Sequence, residues 1–196
     1  MGFTSFLTFP LTTDNISSVK RVDRKRKDAE IVMDKIRAIS RHIRGVEDNC
    51  LILGEKLIAI GAIDLGHKLI ANGFIHDSSK FHGIEWEYMA PGQPTVEESA
   101  KIKLKIAVQH HSKTNPHHPE YWDGGIKDMP RLYLAEMVCD WKARSEEFGT
   151  NLREWIDNVA TKKFNFTKED HVYGEIKDFV ELLCPKPFEN LNQKYE

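Results

Sequence analysis

Apolar residues recur along this chain at intervals of three and four, and hardly anywhere at two. In "HIRGVEDNCLILGEKLIAIG", Ile43, Val46, Cys50, Leu53 and Leu57 share one helical face, and Gly61 is a natural stop. The preceding "SVKRVDRKRKDAEIVMDKIRAISRHIR" begins basic, then gains Ile31, Val32, Ile36 and Ile39, an expected apolar stripe. Its basic run reads as a solvated helix face. "AIDLGHKLIANG" predicts a shorter helix, with Gly73 as its stop. Beyond a turn rich in glycine and proline, "VEESAKIKLKIAVQHH" predicts a helix whose early acids suit the helix dipole. "SKTNPHHPEYWDGGIKDMP" carries three prolines and two glycines and predicts a loop. "RLYLAEMVCDWKARSEEFG" is the clearest helix after it, and "NLREWIDNVA" and "KEDHVYGEIKDFVELL" supply the last helical pieces. No internal repeat is visible. The expected fold is all-α: an extended arm over residues 1–18, then a single helical domain over 19–196.

Composition supports a protein with a real core. Of 196 residues, 40% are hydrophobic and 30% charged. The 28 basic and 30 acidic side chains leave a net charge of -2, which gives no general reason to expect a nucleic-acid partner. No apolar run approaches the length of a bilayer span, and the opening "MGFTSFLTFPLTTDN" has no secretory pattern. A cytoplasmic protein without a membrane partner is expected. Cys50, Cys139 and Cys184 are scattered, as buried thiols in a reducing compartment would be.

The chemistry concentrates around "FIHDSSKF", where His76 and Asp77 are adjacent and Lys80 follows three residues later. Four of the nine histidines, His110, His111, His117 and His118, crowd around the start of the proline-rich loop. His42 opens a helical stretch. Asp140 sits on a largely apolar helix between Cys139 and Trp141. A carboxylate buried there needs a metal, a cation or strong hydrogen bonds. Histidine and carboxylate together suit a hard or borderline divalent ion. His67, His82 and His171 have no such company and read as ordinary. Trp86, Tyr88, Tyr121 and Trp122 read first as core or loop packing, and second as walls of a nucleotide pocket.

The order of a histidine, a histidine–aspartate pair and a distant aspartate resembles the HD-domain superfamily, helical metal-dependent enzymes that mostly act on phosphate esters. The resemblance spans residues 30–148. It implies His42, His76, Asp77 and Asp140 as metal ligands. His111 and His118 would be the extra ligands of a binuclear site, with His110 and His117 as alternatives to their neighbours. It also marks Lys80 as family-like. The "NPHHPEYW" segment is similar to a small branch found in phages and bacteria. Pro119 and the sequence after Gly124–Gly125 depart from members that cleave cyclic dinucleotides.

These readings lead to a metal-dependent phosphohydrolase of a small phosphorylated molecule, a nucleotide foremost. One or two divalent ions are expected, from among Mn, Fe, Co, Mg, Ni and Zn. Asp77, with two oxygens, is the natural bridge between two ions. Asp77, Lys80 and His117 are the expected catalytic groups, with His117 an acid or base near neutral pH. Lys80 and Arg144, which lies one turn after Asp140, are the expected phosphate-binding cations. A di-iron oxygenase with the same ligands is the alternative, followed by a non-enzymatic metal-containing helical protein.

Overall fold

The structure, a computed structural model, describes residues 13–89 and 97–185, with side chains from residue 25 onward. The helices are α1 (Thr13–Ala59), α2 (Ile63–Ile75), α3 (Gly83–Tyr88), α4 (Glu98–Thr114), α5 (Arg131–Phe148), α6 (Leu152–Trp155), α7 (Thr161–Lys163) and α8 (His171–Leu183). Among the described residues there is no strand, so the protein is an all-α bundle. Most of the expected arm lies outside the described residues, but residues 13–18 are already helical.

The chain divides into two compact units, residues 1–37 and 38–196. In the first, residues 25–34 are exposed throughout, as expected of a solvated helix face. The expected stripe fails there: Ile31 is 65% and Val32 43% exposed. The stripe's remaining members fare better, since Ile39 of the second unit is buried.

The second unit is built around α5. Every residue from Leu134 to Cys139 on that helix is buried, so it has no solvated face over that stretch. A helix enclosed on all sides is a central helix. Val46, Cys50, Leu53 and Leu57 of α1, Leu69 of α2, and Ile176, Phe179 and Val180 of α8 complete the same core. The apolar residues of α8 are therefore core. Gly149, at φ 63°, ends α5 in the left-handed conformation that glycine adopts freely.

Small residues bring α1 and α2 together. A Cβ on Gly66 would stand 2.5 Å from the backbone oxygen of Gly54. A Cβ on Gly73 would stand 2.8 Å from the Cβ of Cys50. Gly73 is thus a contact glycine and not the expected stop, and α2 continues to Ile75. The helix ends where His76 becomes extended and Asp77 turns left-handed, at φ 54° and ψ 20°. Aspartate is one of the few side chains that tolerate this region.

Candidate metal centre

Five separate segments aim side chains at one point. Asp77 is lifted out of the end of α2 by its left-handed backbone. Lys80 is carried back toward it by the 3-10 turn Ser78–Phe81, where the Lys80 N–H donates to the Asp77 carbonyl over 2.9 Å. His42 comes from α1, His111 from the last turn of α4, and Asp140 from α5. His117 and His118 come from the loop between α4 and α5. That loop is pinned by Trp122, whose indole N–H donates to the Pro116 carbonyl over 2.8 Å and whose ring lies 5.6 Å from that of Tyr133.

Asp77 is the hub. Its Oδ1 lies 3.2 Å from Nε2 of His111 and 3.4 Å from Nε2 of His117. Its Oδ2 lies 3.6 Å from Nε2 of His42 and 3.4 Å from Nε2 of His76, and accepts a hydrogen bond from the Lys80 ammonium. His42 Nε2 is also 3.1 Å from Oδ1 of Asp140. Three overlapping groups have donor atoms within 4.8 Å of one another: Asp77, His111, His117 and His118; His42, His76 and Asp77; and His76, His117 and Asp140. Together they can hold one or two divalent ions.

An outer layer of carboxylates holds the rings. Nδ1 of His42 meets Glu147 at 2.8 Å, and Nδ1 of His111 meets Glu85 at 2.7 Å. Nδ1 of His76 and of His117 both face Oε1 of Glu136, at 3.0 and 3.3 Å. Asn72 donates to the other Glu136 oxygen over 2.9 Å. An imidazole whose Nδ1–H donates outward presents a bare lone pair on Nε2, the form a metal requires.

Several such donor atoms have nothing else to bind in the interior. Nε2 of His42, His76, His117 and His118, together with Oδ1 of Asp77 and of Asp140, are buried without a hydrogen-bond partner. Each such atom costs about 1–3 kcal/mol. Six in one cluster cost on the order of 10 kcal/mol, as much as the whole stability of an ordinary domain. A nitrogen and oxygen donor set of this density fits a divalent cation, which would satisfy all of these atoms at once.

The electrostatics agree. Burial pushes the Asp77 carboxyl upward, but the charge of His76, contacts with His111 and His117, and Lys80 hold it well below the usual carboxylate range. Burial likewise opposes ionisation of Asp140, and the adjacent His42 and His76 overcome it. His117, despite burial, is raised to about 10 by Asp77 and Glu136. Burial and the charges of His117 and His111 lower His118 to about 3.

His118 and Asp140 also line a cleft of about 360 Å³, together with Trp141, Arg144, Phe148, Trp155, Lys163 and Phe164. His117 is not among the residues lining it; its side chain is buried in the cluster. His110 is half exposed and reaches only Glu85, at 2.8 Å. His67, His82 and His171 are exposed and lie in none of these groups. Arg144 lines the cleft and donates to Glu147 over 2.8 Å. The cleft's aromatic walls come from Trp141, Phe148, Trp155 and Phe164, and none of Trp86, Tyr88, Tyr121 and Trp122 lines it.

Sequence reading missed Glu85, Glu136 and Glu147. Only Glu136 had a signal, standing one turn before Asp140 on the same buried helix.

The fold and the cluster define an all-helical domain with a buried histidine–aspartate site suited to metal. The chain belongs to a family of unknown function, DUF5662, whose profile matches residues 32–184. That span contains every donor of the cluster and excludes the basic run at 20–27. No curated protein and no solved structure matches the chain.

Proposed function

We propose that the protein is a metal-dependent phosphohydrolase of the HD type, acting on a phosphate ester of a nucleotide or a related small molecule. One observation carries the reading: buried, unpartnered nitrogen and oxygen atoms from four segments converge beside an open cleft bearing cations. His42, His76, Asp77 and Asp140 would hold one ion. His111 and His118 would hold a second, with His117 available to either group and Asp77 shared between them. A divalent ion bound there neutralises charge on the ester oxygens and acidifies water.

The chain's own groups supply the rest. Glu85, Glu136 and Glu147 keep the rings of His42, His76, His111 and His117 oriented. Lys80, buried against Asp77, brings a fixed positive charge to the centre, where it can face developing negative charge. His118 lines the cleft and is held neutral, so its free nitrogen is open to a ligand bond. Arg144 stands on the cleft wall, where its planar fork suits a phosphate.

The test is elemental analysis of the purified protein joined to a phosphate-release screen, run with each divalent ion over nucleoside mono- and triphosphates and small phosphomonoesters. Bound metal with phosphate release supports the reading. Iron with oxygen consumption and no phosphate release would replace it with an oxygenase.

A further inference from the structure

The cleft next to the centre has a composition that metal binding does not require. Trp141, Phe148, Trp155 and Phe164 line it, and Phe148 is 71% exposed, a large apolar surface that no packing explains. Trp155 lines the same cleft, its ring 5.0 Å from that of Trp141 at a steep angle. Two cations interrupt the wall. The Lys163 ammonium lies 4.7 Å from the centre of the Phe164 ring. Arg144 gives one donor to Glu147, and a guanidinium has five. Glu120 supplies the cleft with negative charge.

Three properties restrict an occupant. At about 360 Å³ the cleft is at the small end of ligand pockets and takes one small molecule, not a polymer. Exposed aromatic faces favour a flat ring. Arg144 and Lys163 offer two cations to a single phosphate monoester, which carries about -1.5 to -2 charge near neutral pH, while Glu120 and Asp140 of the same lining disfavour any further negative charge. A longer phosphate chain would bring excess negative charge toward Glu120.

We propose that this cleft binds a small aromatic phosphate monoester, its ring against Phe148 and Trp155 and its single phosphate between Arg144 and Lys163. The inference rests on the phosphohydrolase reading only in turning that phosphate toward the His118–Asp140 end.

Calorimetric titration of the full chain distinguishes the two. The ligands are phenyl phosphate, a nucleoside 5′-monophosphate, the parent nucleoside, its triphosphate, and ribose 5-phosphate. The aromatic monophosphates should bind at least about tenfold more tightly than the nucleoside and ribose 5-phosphate. Arg144→Gln and Lys163→Gln should each weaken them by about tenfold, and Phe148→Ala by severalfold. Lys163 and Phe148 are exposed, so their variants should keep the parent's melting temperature. Equal affinity for ribose 5-phosphate, tighter binding of the triphosphate, or indifference to all three substitutions would overturn the assignment. Selective aromatic binding without phosphate release under any divalent ion would sink the hydrolase reading and leave the cleft assigned. Equally fast release from non-aromatic esters would do the reverse.

Discussion

The two halves of the histidine–aspartate cluster are built differently. His42, His76 and Asp140 stand on or beside long helices whose other faces form the apolar core. His42 is followed by Val46, Cys50 and Leu53, all fully buried, and Asp140 lies between buried Cys139 and Trp141. His111, His117 and His118 have less behind them. On α4 only Ala107 and His111 are buried, while Ile102, Ile106 and Val108 are about half exposed. His117 and His118 sit in a loop held by Trp122 and the outer carboxylates. Few buried apolar contacts mean low local stability. The helix-borne half should therefore be the tighter site, and the loop-borne half the one that fills last and empties first.

Asp77 joins the halves, so its loss should abolish the distinction. Asp77→Asn preserves shape and tolerates the left-handed backbone, which makes it the cleaner variant. It should lose nearly all bound metal and lower phosphate release by roughly three orders of magnitude or more. Elemental analysis and turnover on the folded variant measure both. Metal retained at wild-type level would show that the halves do not share this carboxylate. His118→Ala touches one half only. It should reduce metal content from two equivalents to one, and anomalous scattering from metal-soaked crystals should then show one peak where the parent shows two. A single peak in the parent would end the binuclear reading.

Lys80 belongs to neither half as a ligand, because a protonated ammonium has no lone pair. Lys80→Ala should keep metal content near wild type and lower turnover by about 30- to 1,000-fold, equivalent to roughly 2–4 kcal/mol in the transition state. Unchanged turnover would remove Lys80 from the mechanism.

The same contrast explains what could be read in advance. The apolar faces of α1 beyond residue 38 and of α8 follow a period near 3.6, and burial there obeys it. His76, Asp77 and Asp140 stood out because adjacency, or a charge within an apolar run, is visible without knowing the fold. Glu85 and Glu147 did not, since an acid in "GIEWEY" or "RSEEF" looks like any solvated helix position until the fold brings a histidine to it. Gly73 was misread because a glycine wanted for close approach has the same letter as one wanted for a left-handed cap. His117 and His118 could not be ranked by spacing. Their neighbours come from α2, α4 and α5, so only tertiary structure sets which nitrogen turns inward. Trp155 gave no signal of the cleft it lines, because that cleft is assembled from residues 118–120, 140–150, 155 and 163–164 only in the folded chain.

The outer carboxylates sharpen the comparison at a smaller scale. Glu136 serves both halves through His76 and His117, whereas Glu147 serves only His42. Glu136→Ala should weaken metal binding by about 10- to 100-fold at both sites, and Glu147→Ala should weaken only the tighter one. Glu136→Gln retains an oxygen acceptor and should lie between Glu136→Ala and the parent. Equal effects of Glu136→Ala and Glu147→Ala in competition titrations with a chelator would mean that the rings are oriented by packing alone.

The smallest expected effect concerns protons. Asp77 and Glu136 raise His117 to about 10 against the opposing effect of burial, so the metal-free protein holds a proton on this ring throughout the neutral range. An ion that takes Nε2 while Nδ1–H stays on Glu136 must expel one proton. The sign follows directly. Below pH 10 the proton competes with the ion, so affinity should rise with pH, by about tenfold per unit for one displaced proton. His118, lowered to about 3, carries no proton to lose and should contribute nothing to this slope. Calorimetry of metal binding in buffers of different ionisation enthalpy counts the protons released. Replacing Glu136 with glutamine removes one of the charges that hold the proton, and should make the dependence shallower. A release that is pH-independent and close to zero in the parent protein would place His117 outside the ligand set, leaving the loop-borne half with His111 and His118.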